Sequence, residues 1–362
     1  MLYLTNADVQ RVLDMRETLD ALRRGYADLA RGDAAYIPRI DLYAPTGRDD
    51  DYYRWGSMTG YCRSEDVVAC RIKSDVVSWP GGATEEKYCM QPGTYSGIIL
   101  VYRASTGEPL AIVQDGYLQH MRVGASAGLG VDVLARKDAA TVGVLGSGGM
   151  AHTYLQAIAA ARPLRGGKVY SPTPAHREQF AARVSDELRM QLWPVNTAEE
   201  AVRGADIVVT ATDSMLPTFD AAWVADGAHM TCVTRREMDR AMLDRADVIV
   251  QLGWQTIKPG ADVPDMEWPR SAMAAYVAGQ PEERARIPRS RPEERDNFPL
   301  LVDVVAGRQP GRTDDRQVTM FINTGTQGLQ FAAVAGRTQR LARQAGVGQE
   351  LPTEWFLQDI RD

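Results

Sequence analysis

Residues 141–151 read TVGVLGSGGMA: a short aliphatic run, a glycine-rich turn and the opening of a helix. Thr141 to Leu145 are β-branched or aliphatic apart from Gly143, the pattern of a strand buried on both faces of a parallel sheet. Gly146, Gly148 and Ala151 then fall on the spacing G-x-G-x-x-G/A. In that pattern the first glycine allows a tight turn and the second lets the backbone approach a pyrophosphate. The third small residue lets helix and strand pack closely. The helix that follows aims its free N–H groups and positive dipole end at the phosphates. A glycine turn that binds nothing is the alternative; the flanking strand and helix favour a dinucleotide. The candidate contacts are Gly146, Ser147, Gly148, Gly149 and Met150.

Outward from this turn the chain continues as a βαβ unit. Ala151 to Ala161 is alanine-rich and helical, and Lys168 to Tyr170 makes a second short strand. An Asp or Glu at the end of that strand would take the ribose hydroxyls of NAD. Ser171 stands there instead, followed by Pro172, with His176 and Arg177 close by and no carboxylate before Glu178. Missing repulsion with nearby positive charge favours a 2′-phosphate, hence NADP, with NAD the alternative. Ser171 and Arg177 are the residues concerned, and a solvated helix residue is the plain reading of Arg177. Ala205 to Thr212 reads as a further parallel strand, whose end (Thr210, Ala211, Thr212) fits a position against the dinucleotide.

The rest of the composition limits the reading. A chain of 362 residues fits two domains, and its 44% hydrophobic content supports ordinary cores. The net charge of −6 argues against a nucleic-acid surface. No apolar run approaches a membrane span, and the first residues show no signal pattern. Cys62, Cys70, Cys89 and Cys232 lack zinc-type spacing and read as free thiols of a cytoplasmic protein. The four histidines do not pair at metal spacing, so no metal site is proposed.

The fold class expected is α/β: a Rossmann-type parallel-sheet domain plus an α+β substrate and dimerisation domain built from both chain ends. Residues 1–130 would form the first part of the latter, with an amphipathic helix near 15–30. Residues 131–315 would form the dinucleotide domain, and residues 316–362 would return to the substrate domain. Within the middle block, 255–300 is rich in Pro, Arg and Glu and reads as an ordered surface insertion with one helix around Ser271 to Gly279.

Two basic residues outside the turn invite chemistry. Only five of the 41 basic residues are lysines, and one of them, Lys73, lies on an apolar strand. Period-2 alternation puts Val68, Cys70 and Ile72 on one face and Ala69, Arg71 and Lys73 on the other. A cation there can bind a carboxylate or protonate a reacting imine or carbonyl; an exposed strand face is the alternative. Arg122 follows LQHM and opens a helix rich in small residues, where an arginine fork suits a carboxylate or phosphate. Arg39, after Ile37-Pro38, is individually weak.

Taken in order, Ile72-Lys73, PGTYSGIILVYRASTGEPLAIVQDGYLQHMRVGAS, TVGVLGSGGMA, EEAVRGADIVVTATDS, FDAAWVADGAHM and VTMFINTGTQGLQ resemble the ornithine cyclodeaminase/mu-crystallin family. The resemblance runs through nearly the whole chain and weakens at 235–300. It implies a homodimer around a central Rossmann domain. It implies that Lys73, Arg39 and Arg122 face a substrate carboxylate and the reacting carbon, with Met58 lining the pocket. Ser96 would lie near the cofactor, as would the Thr210–Thr212 loop and Arg122.

Three positions depart from the family. The glycine-rich loop that carries an aspartate is cut to Cys232-Val233-Thr234-Arg235-Arg236-Glu237, and Asp239 lies beyond it. The pocket glutamate two residues before the methionine is Gly56, and an aspartate of the C-terminal helix is Gln330. These losses argue against cyclodeamination of ornithine or lysine. The expectation is an NAD(P)-dependent oxidoreductase acting at a C–N bond of a small amine, imine or amino-acid-like substrate. The alternatives are a cyclodeaminase, an amino-acid dehydrogenase, and a non-catalytic NADPH-dependent ligand binder. A role as an amine oxidase-associated chain, as in the branch of the family named for tyramine oxidase, is also compatible.

Overall fold

The computed structural model of the chain describes residues 1–254, 266–267 and 274–360. Thr141–Leu145 forms a strand within the limits read from the sequence, and the helix after the turn spans Gly149–Ala161. That strand sits third in a sheet that has seven strands among the described residues. The order is Gln191–Pro194, Gly166–Tyr170, Thr141–Leu145, Ile207–Thr210, His229–Cys232, Thr319–Ile322 and Val248–Gln251. Every pairing in it is parallel. Both faces are covered, as the continuous apolar strands require. Val142, Val144, Ile207 and Val209 pack with Tyr154, Leu155 and Phe180 on one side. Leu145, Val208 and Met230 pack with Val202 and Met242 on the other.

The second sheet has eleven strands among the described residues. Its centre is a run of antiparallel neighbours: Ile40–Pro45, Asp51–Cys62, Val67–Ser78, Ser96–Arg103 and Pro109–Gln114. Leu2–Leu4 and Gln349–Glu350 close one edge, so the two chain ends meet there. The inner face is packed against the helices Met15–Arg31, Gly116–Leu134 and Gln327–Ala345 through Leu22, Leu118, Met121, Phe331 and their neighbours. Asp14 caps the first of these by accepting from Glu17 N at 2.7 Å, and Gly32 ends it in the left-handed conformation (φ 80°).

Several expectations change. The segment expected to be helical around Ser271 to Gly279 contains the strand Ala274–Val277, which pairs in parallel with Ile40–Pro45; residues 271–273 lie outside the described residues. Its alternating burial, with Ala275 inside and Tyr276 outside, suits a sheet edge better than a helix. The described strands of the 255–300 insertion, Met266–Glu267 and Ala274–Val277, therefore belong to the second sheet rather than the parallel one. The strand Thr319–Ile322 lies inside the parallel sheet, although it falls after the boundary expected at 315/316. The boundary at 130/131 falls within the continuous helix Gly116–Leu134. That helix is buried along most of its length, contributing Leu118 and Met121 to one core and Val123 and Val131 to the other.

Candidate active site

The inner face of the second sheet carries charge where a core would be expected. Ala69, Lys73 and Asp75 are buried on one strand, and Arg54, Gly56 and Met58 on its neighbour. Lys73 is 6% exposed, and its Nζ donates to Asp75 Oδ2. Asp75 also accepts from Arg54 Nη2 at 3.3 Å, and Arg54 Nη1 donates to Glu85 Oε2 at 3.0 Å. Arg236, from the shortened loop after His229–Cys232, approaches the same Glu85 oxygen at 3.4 Å. The chain of contacts thus runs from Lys73 to the loop that lacks the family's aspartate; the loop delivers a cation there, and Glu85 receives it.

Electrostatics sets the state of these groups. Burial, then the Arg54 and Arg39 cations, push the Lys73 ammonium well below the ordinary lysine range. Burial would raise the Asp75 carboxyl, but Lys73 and Arg54 outweigh it and hold it at about 2. Lys73 is therefore a proton holder with weakened grip, anchored by an ionised carboxylate.

Lys73 lies in one register row, Asp41–Gly56–Lys73–Gly97, across four strands. Each glycine makes room for a carboxylate. A Cβ on Gly56 would come within 2.5 Å of Asp41 Oδ1, and one on Gly97 within 2.3 Å of the Asp115 carboxyl. Asp41 uses the space to take Arg39 in a fork, Nε to Oδ1 at 2.7 Å and Nη2 to Oδ2 at 2.6 Å. Asp115 takes Arg71 Nε at 2.6 Å.

Arg122 differs from these arginines. It is 6% exposed and donates to Gln330 Oε1 at 2.8 Å and from Nη2 to Gln119 Oε1 at 2.7 Å. Its guanidinium lies 4.9 Å from the centre of the Phe331 ring, which Arg71 approaches at 5.6 Å. Among the described residues no carboxylate lies on it. Burial, then the Arg71 charge, bring it down to about 9. Arg122 lies well inside the helix Gly116–Leu134 rather than at its start, because the chain is already helical from Gly116. Two residues earlier, the His120 ring would touch a Cβ on Gly149 at 3.0 Å, so this helix passes the glycine turn.

At the turn, Gly146 has φ 110°, and a Cβ there would meet Ala211 O at 2.4 Å. Gly148 stands at the N-cap with open space above it and no side-chain cap on the helix Gly149–Ala161. Those features fit a pyrophosphate. Ser147 Oγ donates to Ser171 Oγ at 3.0 Å. Arg177 is buried rather than solvated, and donates to Ser171 O at 3.0 Å and Asn196 Oδ1 at 2.8 Å. Thr212 donates from N and Oγ1 to the buried Glu237, at 2.8 and 2.7 Å. The loop is joined to the other sheet, since Glu85 N donates to Asp213 O at 3.2 Å and Met215 N to Ala83 O at 2.8 Å.

The family model of the ornithine cyclodeaminase/mu-crystallin family matches residues 2–335. The chain belongs to this family. A Delta(1)-pyrroline-2-carboxylate reductase of Bacillus cereus is 26% identical over 266 residues, 71% of this chain and 74% of that one. Among solved structures, that of Thermococcus litoralis Delta(1)-pyrroline-2-carboxylate reductase with NADH and L-proline superposes with a TM-score of 0.74. It is 24% identical and covers 97% of this chain and 100% of the other. An archaeal alanine dehydrogenase dimer with bound NAD gives a TM-score of 0.75 at 22% identity, covering 97% and 99%. These likenesses establish the α/β fold of the family.

Of the residues that the family resemblance singled out, Lys73, Arg39 and Met58 lie on the inner sheet face and Arg122 faces it from its helix. Arg71 Nη1 reaches Met58 Sδ at 3.7 Å. Arg39 acts electrostatically on both Lys73 and Arg122. Ser96, which the resemblance places near the cofactor, pairs in register with Ser74 and is exposed on the outward face. Asp41, Arg54, Asp75 and Glu85 are the groups the sequence reading missed. The two positions where the resemblance expects carboxylates remain Gly56 and Gln330, and Asp41 Oδ1 lies in the space beside Gly56. Period-2 alternation from Lys73 points to Asp75, but nothing local reveals that Asp41 and Glu85 reach the same face.

Proposed function

We propose that the protein is an NAD(P)-dependent oxidoreductase that reduces the C=N bond of an amino-acid-like imine or ketimine, or runs in reverse. The observation that carries this reading is that Lys73 and Arg122, both buried, lie under the charge of the same residue, Arg39. One is a buried lysine of weakened proton affinity and the other a buried arginine with no carboxylate on it among the described residues, and the arginine's helix passes the glycine turn. A dinucleotide held by Gly146, Ser147, Gly148, Gly149 and Met150, with Thr210, Ala211 and Thr212 beside it, supplies or accepts hydride when bound. Arg122 binds the substrate carboxylate. Lys73 Nζ holds the proton that the reduced nitrogen takes up, while Asp75 fixes its direction. Phe331 supports the guanidinium of Arg122 and keeps water from one side of it.

NADP is the cofactor favoured, because Arg177 sits buried at the end of the second parallel strand, where Ser171 replaces a carboxylate. A homodimer is the assembly favoured. Leu42, Trp55, Ile98, Tyr102 and Tyr276 stand exposed on the outward face of the second sheet, with Tyr276, Leu42 and Trp55 adjacent in register.

The test follows the near-UV absorbance of NADPH, then NADH, with a panel of cyclic and linear imines. Oxidation by a cyclic imine carboxylate is expected, and Lys73→Met should cut turnover by about 10²-fold or more while NADPH still binds. Nucleotide binding without oxidation across the panel rejects the reductase. Ammonia release from an amino acid with no net change in the cofactor identifies a cyclodeaminase.

A further inference from the structure

Arg39 is placed by its family resemblance to clamp a substrate carboxylate, yet its fork is already occupied. It donates to both carboxylate oxygens of Asp41, at 2.7 and 2.6 Å. The Asp41 side chain is fully buried and that of Arg39 is 16% exposed. This pair depends on Gly56, because any Cβ at that position would press on Asp41 Oδ1 at 2.5 Å. Two features of the sequence, an aspartate two residues after Arg39 and a glycine where the family has a pocket glutamate, are thus one device. A bidentate arginine–carboxylate pair in a buried setting is strong and leaves that edge of the guanidinium closed to a second carboxylate. Arg71 is also occupied, its Nε and Nη2 both meeting one oxygen of Asp115, and Arg54 is shared by Asp75 and Glu85. Among the described residues, Arg122, held by two amide oxygens, has no carboxylate on it, and its charge is left for a ligand.

We propose that Asp41 withdraws Arg39 from substrate binding, so that the site takes substrates with one carboxylate, on Arg122 alone, and discriminates against dicarboxylates. Asp41 and Gly56 are then specificity-determining residues and Arg39 is a positioning residue. This rests on the carboxylate-binding role given to Arg122 above. A second carboxylate placed beside Arg39 meets the Asp41 carboxylate that already fills its fork and is repelled.

The experiment measures calorimetric affinities of NADP-loaded protein for pyrrole-2-carboxylate and pyrrole-2,5-dicarboxylate, which differ by one carboxylate. The unaltered protein is expected to bind the monocarboxylate at least about tenfold more tightly. Asp41→Asn releases Arg39 and removes the repelling charge, and should shift that ratio towards the dicarboxylate by about tenfold. Gly56→Ala, which crowds Asp41 without removing it, should shift the ratio in the same direction and serves if the Asp41 variant does not fold. Arg122→Gln should lose the monocarboxylate. Equal affinity for the two probes in the unaltered protein, or an unchanged ratio in both variants, overturns the proposal while leaving the reductase reading intact. Failure of every variant to bind either probe, with nucleotide binding retained, rejects the carboxylate site itself.

Discussion

Lys73 owes its chemistry to where the strand puts it: a lysine on an exposed strand would keep its proton over the whole physiological range. Arg177 is a parallel case at the cofactor end. Its guanidinium braces Ser171 O and Asn196 Oδ1, both uncharged acceptors, so its positive charge is left for a ligand. Arg177→Ala should raise the KM for NADPH by about tenfold or more and leave that for NADH nearly unchanged. Equal losses for both nucleotides would show a structural brace only. His229 supplies a third residue-scale effect, on stability. It is fully buried in the parallel sheet, where its Nδ1 meets Thr319 Oγ1 at 2.8 Å. Burial, then Arg312 and Arg162, lower it from the ordinary 6.5 to about 3. Between those values the unfolded chain binds the extra proton and the folded one does not. Stability therefore falls as pH drops below about 6.5, by at most about 1.4 kcal/mol per pH unit from this group. Thermal melts from pH 7 to 4 should show a shallower decline for His229→Gln.

Among the elements, the strand pair Asp51–Cys62 and Val67–Ser78 and the helix Gln327–Ala345 form the frame on which the site is held. The helix begins in direct backbone contact with the strand, since a Cβ on Gly328 would lie 1.9 Å from Thr59 O. That approach is what brings Phe331, one turn on, under both Arg71 and Arg122. Gly328→Ala has no side-chain tip to move aside and must separate helix from strand. It should cost about 3 kcal/mol of unfolding free energy by denaturant titration, and should weaken monocarboxylate binding because Phe331 shifts with the helix. A fully stable variant would mean the helix start yields without penalty. The ion-pair chain from Lys73 through Asp75, Arg54 and Glu85 to Arg236 links the two sheets at this same level.

At the scale of the whole molecule, both termini of the chain and the 255–300 insertion add strands to the second sheet, which gives it a broad outward face. Large apolar side chains exposed in adjacent register positions are costly in water, and a second copy, the assembly proposed above, would relieve that cost. Trp55→Glu places a charge in the middle of that face. It should weaken self-association by about 2 kcal/mol or more, read as a shift towards monomer in sedimentation equilibrium. A monomeric unaltered protein would reject the dimer. Among the described residues no helix is long and apolar enough to cross a membrane.

The parallel sheet, the glycine turn and its helix were legible in residues 141–151 because their signal is local: aliphatic run, glycine spacing and helix onset lie within eleven consecutive positions. The same locality let the alternation around Lys73 separate its two faces. It failed for 274–277, where a short apolar stretch fits helix and strand alike and a sheet edge decides. It failed again for Arg122, whose helix starts six residues earlier than the small-residue run suggests. The sequence by itself determined the fold class, the glycine turn with its strand and helix, and membership of the family. Only the tertiary structure decided which carboxylate meets which cation. Asp41, Gly56, Lys73 and Gly97 share one row across four strands, and Glu85 joins Arg54 to Arg236. Such pairings depend on strand register and loop closure between residues far apart in the chain, and no periodicity within one segment encodes them.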